Sequence, residues 1–184
     1  MLRLSIVFVT LWLVAGCADM GLISEVPVDG QNAVYRLDSG DRLRVIVFGQ
    51  TDLSGEYAVD GAGQVSIPLV AAIGARGLTT DELEETIVAT LSQTLLRDPS
   101  VSVEVLTFRP FFILGEVTNA GQYPFVAGMT IRTAVAIAGG YTHRANENGA
   151  RITRNLGDRI IEIGVDSNAA VHPGDTILVR ERYF

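Results

Sequence analysis

Asp38 and Asp41 stand three residues apart, and paired carboxylates are the groups glycoside chemistry requires. Their context, Asp38-Ser39-Gly40-Asp41, is turn chemistry ahead of a strand, so both are expected to be turn residues. Glu82 and Glu85 share helical spacing, but at the start of a helix they are expected to face solvent and complement its dipole. His143 follows Gly139-Gly140-Tyr141-Thr142 and His172 precedes Pro173-Gly174, with no neighbouring Cys, His or paired acid to complete a site. Two His and one Cys exclude zinc sites built from Cys/His sets, and no disulfide can form within one chain. No G-x-S-x-G, P-loop or H-E-x-x-H string occurs. The glycines of Asp60-Gly61-Ala62-Gly63 lack the strand–loop–helix context of a nucleotide fingerprint. The expectation is a non-enzymatic chain with no catalytic residue, no metal and no cofactor.

One residue does carry chemistry. Arg3 precedes the apolar run Leu4–Val14, and Ala15-Gly16 lead directly into Cys17. That run is too short to cross a hydrocarbon core of about 30 Å, and a charged start with small residues before a cut site describes a secretory signal. Leu13-Val14-Ala15-Gly16-Cys17 looks like a bacterial lipobox. In that reading the Cys17 thiol is diacylglycerylated, the chain is cut before it, and the new amine is acylated. Acyl chains contribute about 0.8 kcal/mol per buried CH₂, so several of them hold a chain at a membrane. The expected division is a lipoprotein signal peptide at 1–16 and a lipidated tether at 17–33. Ala18, in place of Asp, after Cys17 resembles the sorting pattern for the outer membrane, on its periplasmic face.

Composition narrows the function classes. The chain has 184 residues and a formal net charge of −7. That balance lacks the basic footprint of a nucleic-acid binder, so no nucleic-acid partner is expected. All 14 basic residues are Arg, a bias ascribed to genome composition. Arg151, Arg154 and Arg159 surround one hairpin and are expected to pair with Glu147, Asp158 and Glu162 rather than to hold an acidic glycan. Phe111, Phe112, Tyr123 and Phe125 lie at strand spacing beside Val and Ile, which suits core or subunit interface better than sugar stacking.

The periodicities give an α+β chain in two globular parts. In the first, at 34–107, Arg42–Phe48 suits a strand, and Tyr57–Val59 and Gln64–Leu69 read as a hairpin around Asp60–Gly63. A helix capped by Thr79 or Thr80 follows, with Leu83, Ile87, Leu91 and Leu95 on its apolar face and Asp98-Pro99 as its stop. Val101, Val103 and Val105 alternate in a closing strand. The second part, at 110–180, gives strands at 111–117 and 122–126, and a helix from Thr130 to Ala138 ended by Gly139-Gly140. Strands at 151–154, 159–163 and 176–179 complete a ββαβββ order that suits a β-grasp-like module, one helix crossing a mixed sheet.

These residues carry a resemblance. Tyr35-Arg36-Leu37-Asp38-Ser39-Gly40-Asp41-Arg42-Leu43-Arg44-Val45 is similar to the opening signature of bacterial polysaccharide export proteins, and Val59–Leu69 to their second signature. Gly77–Leu83 resembles that family's helix entry and Leu96–Val101 its exit. Leu114-Gly115-Glu116-Val117, Gly121–Pro124, Ala138–Tyr141 and Pro173–Ile177 resemble the soluble-ligand-binding β-grasp (SLBB) module that follows. The resemblance implies an outer-membrane lipoprotein of capsule or exopolysaccharide export, contributing to the conduit of a translocon. Its implied partners are the polysaccharide in transit, an inner-membrane co-polymerase or tyrosine autokinase, and further copies in a ring-shaped homo-oligomer. Long relatives add a second module and a pore-lining C-terminal helix, whereas this sequence ends at Phe184 after its final strand. The expectation is therefore a periplasmic ring beneath a separate pore, or a crossing the sequence does not display. A monomeric glycan- or ligand-binding lipoprotein is the alternative left open.

Overall fold

Alternation of buried and exposed residues along β1 (Arg42–Val47) places Leu43, Val45 and Val47 on one side of a sheet. The computed structural model describes residues 34–157 and 159–182; the expected signal peptide, Cys17, the tether and Asp158 lie outside them. Strand β1 is central, pairing antiparallel with β2 (Gly55–Ala58) and β5 (Val101–Thr107). Helix α1 (Thr80–Thr94) covers this sheet, and Thr79 and Glu82 form a reciprocal capping box at its start. The Val103 N–H on β5, an edge strand, donates to Glu84 Oε1 at 2.7 Å. One helix carboxylate thus occupies a strand edge that would otherwise invite pairing.

Three expectations are corrected in this part. The segments around Asp60–Gly63 do not pair with each other: β2 pairs with β1, while β3 (Gln64–Val65) pairs with β4 (Ile73–Gly74). The turn itself forms, with Asp60 Oδ1 accepting from Ala62 N at 2.8 Å and Gln64 N at 2.9 Å. Turn chemistry reverses the chain but leaves the choice of ladder partner to the rest of the fold. Leu95 is also not part of the buried face; it is 44% exposed, whereas Leu83, Ile87 and Leu91 are fully buried. Each four-residue step advances about 40° past one turn, so three steps from Leu83 carry Leu95 about 120° off the apolar stripe. The helix ends at Thr94, ahead of the expected stop at Asp98-Pro99.

The second part builds its own core. Its mixed sheet has the order β7-β6-β10-β8-β9, from β7 (Gly121–Tyr123), β6 (Phe111–Gly115), β10 (Thr176–Val179), β8 (Gly149–Asn155) and β9 (Ile160–Asp166). Strand β10 runs parallel to β6 and antiparallel to β8. Helix α2 (Ile131–Ile137), capped by Thr130, contributes Ile131, Ala134 and Val135 to the core formed with Phe111, Ile113, Ile152 and Ile177. One helix across a mixed sheet is the β-grasp-like arrangement, and the chain is α+β. The opposite sheet face leaves Phe112, Leu114 and Leu178 about two-fifths exposed.

The helix register can be tested in urea. Leu91→Ala should cost about 2–5 kcal/mol, as truncation of a buried Leu does, while Leu95→Ala should cost less than about 1 kcal/mol. Equal losses would place Leu95 back on the buried face.

Candidate functional site

The connection between the two cores is three residues, Phe108-Arg109-Pro110, between the end of β5 and the start of β6. Asp41, at 0% exposure, is the carboxylate on which it closes. Asp41 Oδ1 accepts the Arg109 backbone N–H at 2.8 Å; its Oδ2 accepts the Tyr35 hydroxyl at 2.6 Å and the Asp38 N–H at 2.9 Å. The Arg109 guanidinium lies 3.5 Å from Asp41 Oδ2 and donates to the Tyr35 oxygen at 2.8 Å. A buried carboxylate persists only when paired and hydrogen-bonded, and here the connecting segment supplies both needs. Burial, and next the bond to Asp41, push the Tyr35 hydroxyl well above the usual tyrosine range, so it remains a neutral donor.

Aromatic contacts run through the same segment. Phe108 meets Tyr35 edge-on at 4.9 Å between ring centroids and Phe125 at 5.5 Å, linking the first core to the second. The second part repeats the device. Asp175, also at 0% exposure, accepts His172 N at 2.7 Å and a two-point contact from Arg154, both bonds at 2.8 Å. In each turn the Asp side chain receives the N–H three residues back, and the preceding glycine, Gly40 or Gly174, holds φ at +95° or +82°. A side chain on Gly174 would also strike Arg109 Nε at 2.7 Å. Each turn opens directly into a strand, β1 or β10.

The two turns border a cleft of about 730 Å³. Asp38, Gly61 and Arg76 line it from the first part, Asn155, Gly157 and Gly174 from the second, and Arg109 from the connection. Arg76 Nε donates to Asp38 Oδ1 at 2.9 Å, and its Nη2 donates to Ser39 Oγ at 2.6 Å and the Gly61 carbonyl at 3.0 Å.

Sequence reading placed Asp38 and Asp41 in a turn, and they are there; the burial of Asp41 and its attachment to Arg109 were missed. Gly-Asp ahead of a strand, occurring twice, was the available signal. Glu82 caps α1 and accepts from Arg36. Arg151 pairs with Glu162 at 3.1 Å as expected, and Arg154 pairs with Asp175, a partner outside the expected set. Phe111 is core, Tyr123 and Phe125 are packed against that core, and Phe112 is 40% exposed on the outer sheet face. His143 lies exposed in a loop, and His172 serves the Asp175 turn through its backbone. Among the described residues no group of three His, Cys, Asp or Glu could hold a metal ion, and no helix is long and apolar enough to cross a membrane.

A family model described as polysaccharide biosynthesis/export protein matches residues 21–106, and an SLBB domain model matches 110–163. The chain belongs to the polysaccharide biosynthesis/export family. It is similar to the exopolysaccharide production protein ExoF of Rhizobium meliloti (strain 1021), 37% identical over 133 residues, 66% of this chain and 31% of that protein. It is also similar to the polysialic acid transport protein KpsD of Escherichia coli, 25% identical over 166 residues, 83% of this chain and 29% of that protein. The chain thus spans about three-tenths of the length of these curated relatives. In this family member the two matched regions meet at Phe108-Arg109-Pro110.

The electrostatic role of that connection has a measurable size. Arg109→Ala leaves Asp41 buried without its counter-charge and should cost about 3 kcal/mol or more. Arg36→Ala, which removes the exposed pair with Glu82, should cost under about 1 kcal/mol. Chemical denaturation of the two variants checks this; equal small losses would mean that Arg109 is dispensable.

Proposed function

We propose that this chain is a non-enzymatic, lipid-anchored component of a polysaccharide export translocon in the cell envelope. Cys17 carries the acyl anchor, residues 17–33 act as tether, and parts at 34–107 and 110–180 stand on the periplasmic face of the outer membrane. Copies associate into a ring that lines the path of the polymer, and its inner-membrane side meets a co-polymerase or tyrosine autokinase. The observation that carries this reading is the tandem match, in order, of an export-protein model and an SLBB model. The printed names of the relatives, exopolysaccharide production and polysialic acid transport, support a polymeric sugar as cargo.

The physical features agree with a conduit. A long hydrated polymer must pass without being held, which favours polar walls over a deep apolar pocket. The paired carboxylates Asp38 and Asp41 are engaged with Arg76, Arg109 and Tyr35. The outer sheet face bearing Phe112, Leu114 and Leu178 offers apolar area that a neighbouring copy would bury. The alternative of a monomeric glycan-binding lipoprotein draws support from the cleft alone. Sedimentation separates the two: a ring supports the conduit, and a strict monomer with tight glycan binding supports the receptor.

In cells, deletion of the gene should deplete surface polysaccharide and retain polymer in the periplasm. Wild-type protein should restore export and incorporate labelled palmitate, and Cys17→Ser should do neither. Unchanged surface polymer after deletion would contradict the export role, and palmitate on the Cys17→Ser protein would contradict the assigned anchor.

A further inference from the structure

We infer that the cleft bordered by the two Gly-Asp turns is a binding subsite for an uncharged sugar unit of a polysaccharide. This deepens the export reading and rests on it for biological meaning, but the binding claim stands on the cleft itself.

The charge arrangement selects the ligand class. Two guanidiniums, Arg76 and Arg109, face the cleft, and both are already matched by carboxylates. Asp38 takes Arg76 at 2.9 Å and approaches Arg109 at 3.8 Å, while buried Asp41 takes Arg109 at 3.5 Å. Two cations against two anions leave no net positive field, so a phosphate or sulfate would have to displace Asp38 and would meet its repulsion. A neutral polyol meets no such opposition. Its hydroxyls both donate and accept, and the cleft offers the Asp38 carboxylate as acceptor, guanidinium donors and the Asn155 amide, whose Oδ1 also accepts the Gly157 N–H at 3.0 Å. Planar groups of this kind present paired polar atoms suited to vicinal hydroxyls.

The shape fits the same class. A volume of about 730 Å³ lies within the roughly 300–1,000 Å³ of small-molecule sites. Gly61, Gly157 and Gly174 on the lining carry no side chain and leave room for a ring. Among the described residues that line the cleft none is aromatic, so there is no stacking surface to hold a sugar tightly. Weak, exchangeable contact is the property a transit path requires. The recognition is divided between the two modules, so a bound sugar would sit against both and against Arg109.

Gly61 supplies a clean test. A Cβ built there meets nothing within 4 Å, and its φ lies outside the positive range, so a large side chain fits at this lining position without strain. The full mature chain, ¹⁵N-labelled in detergent, is titrated with neutral gluco-, galacto- and manno-trisaccharides, with inorganic phosphate as the charged comparison. The amides of Gly61, Gly157 and Gly174 should shift saturably with at least one neutral trisaccharide in the millimolar range and stay unmoved by phosphate at equal concentration. Gly61→Phe should weaken that binding at least tenfold while amides of both cores keep their positions. Asn155→Ala provides a second, polar variant expected to weaken it several-fold. Silence of the cleft amides with all three trisaccharides, stronger shifts with phosphate, or unchanged binding by folded Gly61→Phe protein would each overturn the inference. The export reading fails separately: loss of surface polymer on gene deletion with a silent cleft removes only the subsite, whereas saturable sugar binding with intact surface polymer removes only the export role.

Discussion

A buried carboxylate is the constraint around which this chain is arranged. Asp41 is withdrawn from water, and such a group is tolerated only where donors surround it and an opposite charge stands close. Those donors come from three places: Tyr35 before the first strand, the turn at Asp38, and Arg109 beyond the last strand of the first core. The requirement therefore ties the entry of the first module to its exit, and Arg109 carries the tie into the second. Phe108 adds apolar contact along the same line, between Tyr35 and Phe125. Connections between domains generally allow relative motion unless the interface resists it. Here, two of the three connecting residues are engaged through their side chains.

Much of this architecture was legible because it is written in short-range patterns. Period-two alternation marks Arg42–Val47 and Val101–Thr107, and the four-residue repeat from Leu83 to Leu91 marks the covering helix. Glycine-bearing turns separated the elements, and the ββαβββ order pointed to the β-grasp-like sheet. What escaped notice depends on distance along the chain. Arg109 and Asp41 are 68 residues apart, and Arg154 and Asp175 are 21 apart; no local window relates them. The hairpin at Asp60–Gly63 differs for another reason: its two arms each find a ladder partner on their other side in sequence, β2 with β1 and β3 with β4. Leu95 failed through geometry: a strict four-residue repeat slowly winds off one helix face. The connecting residues Phe108 and Arg109 fall in the gap between the two expected domains, outside every motif.

The family assignment and the physical picture support one another without being the same argument. Membership rests on two matched regions in order, while the engaged carboxylates and polar cleft are features of the fold itself. Mutual neutralisation of arginine and aspartate explains how a cleft rich in charged groups can present polar contacts without attracting ions. Gly40 and Gly174, beside the two buried aspartates, permit the backbone turns that bring both walls to Arg109.

The account stands on the contacts of Phe108 and Arg109 holding the two cores together, and ¹⁵N relaxation of the full chain tests this most directly. Amides of Val45 and Ile87 in the first core, and of Ile152 and Ile177 in the second, should report a single rotational diffusion tensor. Distinct tumbling of the two cores in the wild-type protein would contradict it.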